Sequence, residues 1–142
     1  MVARWGQVAA MPLLTASLAA LFALCADGPR TTCVVDGDTF WLEGEKVRIA
    51  DINAPETTQP GCPEERVRGE AAKRRLIALL NAGTFTLEAN GRDRDRYGRL
   101  LRVVRRNGHS LGEQLVAEGL AEKWQGRRSD WCLLLAGRRA GS

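Results

Sequence analysis

Short runs in which apolar and polar residues alternate, or in which β-branched residues crowd together, recur along the chain and predict strands. Residues 31–35 form the first run, and Thr39-Phe40-Trp41-Leu42 follows it across the turn Asp36-Gly37-Asp38. Residues 46–52 make a third, in which Val47 and Ile49 alternate with Arg48, beyond a second turn at Glu43-Gly44-Glu45. The period then changes. Over residues 64–80, Val67, Ala71, Ala72, Leu76, Leu79 and Leu80 fall on one side of a helix while Arg66, Lys73 and Arg74 face away. Glu64 and Glu65 lie in its first turn, where carboxylates suit the helix dipole, and Asn81-Ala82-Gly83 ends it. Alternation returns at residues 84–89, and residues 100–104 supply a partner strand. Ser110-Leu111-Gly112-Glu113 matches a capping box and opens a short helix that runs through Glu118 and stops at Gly119. Ser129 is placed to cap a last short helix carrying Leu133, Leu134 and Leu135. The order strand–strand–strand–helix–strand–strand–helix predicts an α+β, mainly β fold: a five-stranded Greek-key barrel of the OB type with two to three helices.

One segment stands outside this pattern. Arg4 is followed by an uncharged stretch up to Ala26, apolar from Val8 onward except at Pro12, Thr15 and Ser17, with small residues near its end. That is the layout of a secretory signal peptide with a cut after Ala26. Its length also approaches the ~20 residues that cross a bilayer, so an uncleaved N-terminal membrane anchor is the other reading. Leu24 before Cys25 argues against a lipoprotein signal. Residues 1–26 are therefore set apart as signal or anchor helix, and residues 27–142 as the single functional domain. That domain is expected to be exported: secreted, periplasmic, or anchored facing outward, with the membrane a partner only through an uncleaved segment. A cut after Ala26 leaves Cys33, Cys62 and Cys132. No C-x-x-C pair exists, which argues against a zinc site. Cys62 and Cys132 sit in loop-like surroundings and are candidates to pair; the other reading leaves all three free, with Cys33 a small strand residue.

Composition and charge narrow the class. A chain of 142 residues, 44% hydrophobic and 27% charged, holds one packed domain, and a single His, His109, disfavours histidine metal cages and triads. The net charge of +4 hides a split. Residues 27–91 carry 8 basic and 11 acidic groups, while residues 92–142 carry 12 basic and 6 acidic. An acidic half suits a cation and an Arg-rich half suits an anion.

Three stretches carry chemistry. Asp36-Gly37-Asp38-Thr39 is a tight acidic turn, a sequence that also serves as an ordinary hairpin turn. Residues 48–57 place Arg48, Asp51 and Asn53 on a strand, where polar groups are costly unless they meet a partner, and then bring Glu56 after Pro55. Asp51 and Asn53, two apart, are expected to share a face. Residues 92–99 alternate charge in the manner of a solvated hairpin, but Tyr97-Gly98-Arg99 entering an apolar strand offers a ring and a guanidinium that suit a phosphate ester. His109 beside Asn107-Gly108 reads as an exposed turn residue, and Arg127-Arg128 and Arg138-Arg139 as solvated.

Together these stretches resemble the staphylococcal nuclease (thermonuclease) family. The likeness runs through Asp36-Gly37-Asp38-Thr39, Arg48, Ala54-Pro55-Glu56-Thr57, Asp95-Arg96-Tyr97-Gly98-Arg99 and Gly119-Leu120-Ala121, and spans about residues 33–131. The resemblance implies a calcium-dependent phosphodiesterase, an endonuclease acting on DNA and/or RNA as a monomer, with another divalent cation as the alternative ion. In that reading Asp38 binds the metal, helped by Asn53 and the backbone carbonyl of Ala54. Glu56 activates water, Arg48 and Arg99 hold the phosphate, and Tyr97, Arg96 and Trp124 contact the strand. Most family members carry Asp where this chain has Asn53, so one negative charge is missing, and weaker calcium binding is expected. Asp51 is the residue expected to restore it, directly or through water. The same departure keeps a second reading open: an OB-type module that binds single-stranded nucleic acid, with Trp41, Tyr97 and Trp124 as stacking rings, and has lost hydrolysis.

Overall fold

Phe40, Val47, Ile49 and Ile52 occupy inward positions of neighbouring strands and lose all contact with water. That burial is the chief driving force for assembling the sheet. The computed structural model describes residues 21–140, excluding the side chains of 139 and 140. The strands are β1 (Cys33–Asp36), β2 (Thr39–Leu42), β3 (Glu45–Ile49), β4 (Ile52–Asn53), β5 (Thr86–Arg94), β6 (Leu100–Arg106), β7 (His109–Ser110) and β8 (Glu122–Lys123). The helices are α1 (Pro63–Asn81), α2 (Leu111–Ala117) and α3 (Trp131–Ala140). The main sheet runs β1-β2-β3-β6-β5, with β7 added to β6. It is mixed: β3 and β6 are parallel and the other pairs antiparallel. A separate antiparallel pair joins β4 to β8. The protein is thus α+β with a mixed sheet and three helices among the described residues. The expected barrel is open there: no pairing joins β5 to β1.

Three elements differ from the sequence reading. The third strand ends at Ile49 instead of continuing to residue 52. Ala50 N–H donates to the Arg102 carbonyl at 2.8 Å, and the Arg48 guanidinium donates to the carbonyls of Ile49 and Ile52, so the chain turns around a buried cation. Ile52–Asn53 then leaves for β8, and Arg48, Asp51 and Asn53 do not share one strand. The buried face of α1 is Glu65, Gly69, Ala72, Leu76, Leu79 and Leu80, whereas Val67, expected inside, is 71% exposed. The stripe begins at a carboxylate and a glycine because α1 packs there against a loop, not against apolar side chains. The cap of α3 is Asp130 rather than Ser129: its carboxylate accepts Leu133 N–H at 3.1 Å.

The segment before β1 belongs to the core. Phe22 is 4% exposed and meets Phe40 edge-to-face at 5.7 Å, with Phe85 at 6.1 Å. Asn81 clamps its backbone, accepting Phe22 N–H at 2.8 Å and donating to Phe22 O at 3.0 Å. Cys25 N–H donates to Val34 O, Val34 N–H to Ala23 O, and Cys25 is bonded to Cys33. Cys33 is therefore not the free strand thiol expected. Cys62 and Cys132 also pair, closing a separation of 70 residues, which by chain entropy alone is worth about 4 kcal/mol. The boundary expected after Ala26 falls inside this packed structure, while residues 1–20 of the expected signal or anchor lie outside the described residues. Among the described residues no helix is long and apolar enough to cross a membrane. Two disulfides indicate folding in an oxidising compartment outside the cytoplasm.

Phe22→Ala should cost about 3 kcal/mol in urea unfolding. A loss below about 1 kcal/mol would show that the segment does not pack as described.

Candidate active site

The acidic turn and the loop carrying Glu56 are held by one face of α1. A Cβ on Gly37 would stand 2.7 Å from Ala72 Cβ and 3.0 Å from Ala54 Cβ. A Cβ on Gly69 would stand 2.7 Å from Thr57 Cγ2 and 2.9 Å from the Pro55 carbonyl. Both positions need glycine because the chains approach too closely for any side chain. One turn earlier, the buried Glu65 carboxylate accepts Glu56 N–H at 2.9 Å and Gly61 N–H at 2.8 Å. Those bonds set the direction in which Glu56 leaves the backbone.

Asp38 is 4% exposed and fully engaged. Its carboxylate accepts the Thr39 hydroxyl at 2.9 Å and Ala54 N–H at 2.8 Å, and stands 3.5 Å from Arg48. Asp36, half-buried, accepts the Thr57 hydroxyl at 2.9 Å. Burial, then the negative charge of Asp38 and the further one of Glu56, push its acid up to about 6. Burial pulls the Arg48 guanidinium below its ordinary value. Asp38 opposes that pull, and the positive charges of Arg99 and Arg128 add to it.

Arg99 is fixed from its own turn. Asp95 accepts Arg99 Nε at 2.7 Å, Arg99 N–H at 3.0 Å and Tyr97 N–H at 2.9 Å, and Gly98 closes the turn at φ +81°. Burial works to raise the Asp95 acid, but these bonds outweigh it and hold the carboxylate below its usual range. Arg48 and Arg99 open into one cleft of about 610 Å³, with Arg92, Arg96, Arg128, Tyr97 and Trp124 on its walls. Tyr97 is 68% exposed, with Arg96 and Arg99 at 5.0 and 5.3 Å from its ring centre, and Trp124 lies 5.5 Å from the Arg48 guanidinium.

Of the residues singled out from the sequence, Arg48, Arg96, Tyr97, Arg99 and Trp124 share this cleft. Asp38 joins it through Arg48, and Glu56 through an ion pair with Arg128. Ala54 is tied to Asp38 by its N–H. Asp51 is elsewhere: its carboxylate accepts the Ser110 hydroxyl at 2.7 Å, beside the start of α2, where a Cβ on Gly112 would meet it. The break after Ile49 turned it away from Asp38. Arg92, Arg128 and Glu65 were missed. The signal for Arg128 was the Cys62–Cys132 bond, which folds the residues before α3 back over the loop after Glu56.

Among the described residues no three His, Cys, Asp or Glu side chains converge as a ready metal cage. The donors at the acidic turn still suit a hard cation. Asn53 is 1% exposed and neither its Oδ1 nor its Nδ2 has a partner, and Asp36 and Asp38 repel each other. A buried amide oxygen without a donor and two crowded carboxylates are what an oxygen-liganded dication relieves.

A mixed-sheet domain thus sets an arginine-lined cleft, with Tyr97 and Trp124 on its walls, next to an acidic turn. Residues 46–134 match the family described as Staphylococcal nuclease homologue, well over half of the chain, and the chain belongs to that family. It is 41% identical over 92 residues to "Endonuclease YncB" of Bacillus subtilis, covering 61% of this chain and 43% of that protein. It is 33% identical over 92 residues to the "Thermonuclease" of Staphylococcus intermedius, covering 62% and 54%. A third relative, 34% identical over 93 residues with 62% and 48% covered, is "Succinoglycan biosynthesis protein ExoI" of Rhizobium meliloti. The chain thus spans about half the length of the curated relatives it matches.

Gly69→Ala should cost about 1–3 kcal/mol in urea unfolding, because the new methyl meets backbone that must move. A neutral result would mean that the α1 contact is loose. In metal-free protein Asp36 should favour its proton up to pH about 6, against 3.8 when unfolded. Its penalty on folding is absent below the unfolded value and grows as pH rises towards 6. Asp36→Asn should therefore raise the melting temperature at pH 7.5 and leave it unchanged at pH 3.5; equal effects at both would contradict the burial argument.

Proposed function

We propose that this chain is a metal-dependent nuclease that hydrolyses phosphodiester bonds of DNA and/or RNA outside the cytoplasm. The observation that carries this reading is the cleft itself. Arg48 and Arg99 face one space wide enough for a phosphate ester, the acidic turn adjoins it through Arg48, and Glu56 stands at its rim. Family membership supports the same chemistry.

Attack on a phosphodiester builds negative charge on the non-bridging oxygens. The guanidinium hydrogens of Arg48 and Arg99 left over from their internal bonds hold the group and favour the charged transition state. Glu56, directed by Glu65, accepts the proton of the attacking water. Tyr97, Arg96 and Trp124 offer an exposed surface on which bases stack and phosphates rest. Asp38, Asn53 and the Ala54 carbonyl would hold the cation, which we take to be calcium, with Asp36 near enough to add charge. When bound, the cation supplies further offset of phosphate charge and a site for water. Asp51 has Ser110 as its partner, which leaves the role first given to it without support. We take the open sheet as a variant of the OB-type barrel, the enzyme as a monomer, and its destination as secreted, periplasmic or anchored facing outward.

Asn53 favours one alternative, a domain that binds single-stranded nucleic acid without cutting it, because the site lacks a carboxylate there. One assay separates the two readings: full chain and single-stranded DNA, with calcium or with chelator. Cleavage only with calcium supports the nuclease; retention of DNA without cleavage supports the binding module. Glu56→Gln should slow cleavage by about 10²–10⁴-fold. Asn53→Asp should tighten calcium binding in calorimetry, and unchanged affinity would remove Asn53 from the site.

A further inference from the structure

We propose that Arg128 exchanges Glu56 for a substrate phosphate. In the free protein its guanidinium holds the Glu56 carboxylate; when a nucleic-acid strand enters the cleft, it moves onto a phosphate and leaves Glu56 free to take a proton from water. This deepens the nuclease reading and rests on it.

The resting contact is direct, from Arg128 Nη2 to Glu56 Oε1. The guanidinium occupies one of the two carboxylate oxygens, and moving it onto a phosphate frees that oxygen for the attacking water. Opening the pair is easy. The Arg128 side chain is 55% exposed and that of Glu56 27%, and ion pairs this wet contribute little. A phosphate in the cleft offers Arg128 a stronger, two-pronged partner. Arg128 lines the same cleft as Arg48 and Arg99, and its charge is felt at Arg48, so these cations repel one another until an anion lies between them.

The backbone allows the exchange without losing the arm. Arg128 lies on a loop tied at both ends. Before it, Trp124 N–H donates to the Asp51 carbonyl at 3.0 Å. After it, buried Trp131 and the Cys62–Cys132 bond hold the start of α3. Gly126, at φ +89°, lies between the anchors. The same disulfide ties this loop to the residues that follow Glu56, so Arg128 and Glu56 remain opposite each other.

The test compares full-chain wild type, Arg128→Gln and Arg128→Lys. DNA affinity is measured in chelator, where nothing is cut, and turnover is measured with calcium. Arg128→Gln should lower kcat/KM about tenfold through KM, keep the melting temperature, and flatten the dependence of log Kd on log salt by about 0.7, the share of one single-strand phosphate contact. Arg128→Lys should restore the salt slope. Unchanged KM and salt slope in Arg128→Gln would overturn the exchange, as would a fall in kcat of about a hundredfold at constant KM, which would make Arg128 a partner Glu56 needs during chemistry. A wild type that binds DNA but never cuts it would end the nuclease reading, and the salt slope would still decide whether Arg128 holds phosphate.

Discussion

A guanidinium and a carboxylate, Arg48 and Asp38, are buried side by side at the base of the cleft, and the geometry around them follows from satisfying both. Removing either leaves the other charged and buried without its counter-ion, a loss of about 3–5 kcal/mol. Asp38 draws in Thr39 and Ala54; Arg48 draws in the carbonyls of Ile49 and Ile52. The second set bends the chain off the main sheet. The bend sends Ile52–Asn53 to β8, and the chain that continues from β8 lays Trp124 over Arg48. One buried ion pair thus sets the acidic turn, the floor of the cleft and one of its aromatic walls.

The other support is steric. Helix α1 touches the acidic turn at Gly37 and the Glu56 loop at Gly69, and Glu65 reaches out to the backbone of that loop. Two close approaches and one carboxylate give the loop a fixed position without regular structure of its own. This is how Glu56 can sit on a loop and still be directed. Asp95 does the same for Arg99 with three bonds inside a single turn. Arg99 is thereby held in one direction, whereas the Arg128–Glu56 pair is more open to water.

Much of this was legible in the chain. Strand and helix types followed from local period and turn chemistry, and α1 was placed within a residue at each end. Of the motif residues, Arg48, Arg96, Tyr97 and Arg99 line one cleft. The misreadings share a cause. Val67 looked buried because helical period says which residues share a face, not which face meets the protein. Asp51 looked like part of the third strand because alternation assumes a continuous strand, and a buried guanidinium ended that strand at Ile49.

By itself the sequence determined the kinds of element, the turns between them and the residue types available for phosphate and cation chemistry, because each depends on neighbours a few positions away. Only the tertiary structure decided which of those residues meet. Asp51 and Ser110 are 59 residues apart, and Glu56 and Arg128 are 72 apart. Whether such pairs form depends on where the chain turns, on a crosslink between distant cysteines, and on the need of a buried charge for partners, none of which has a local signature.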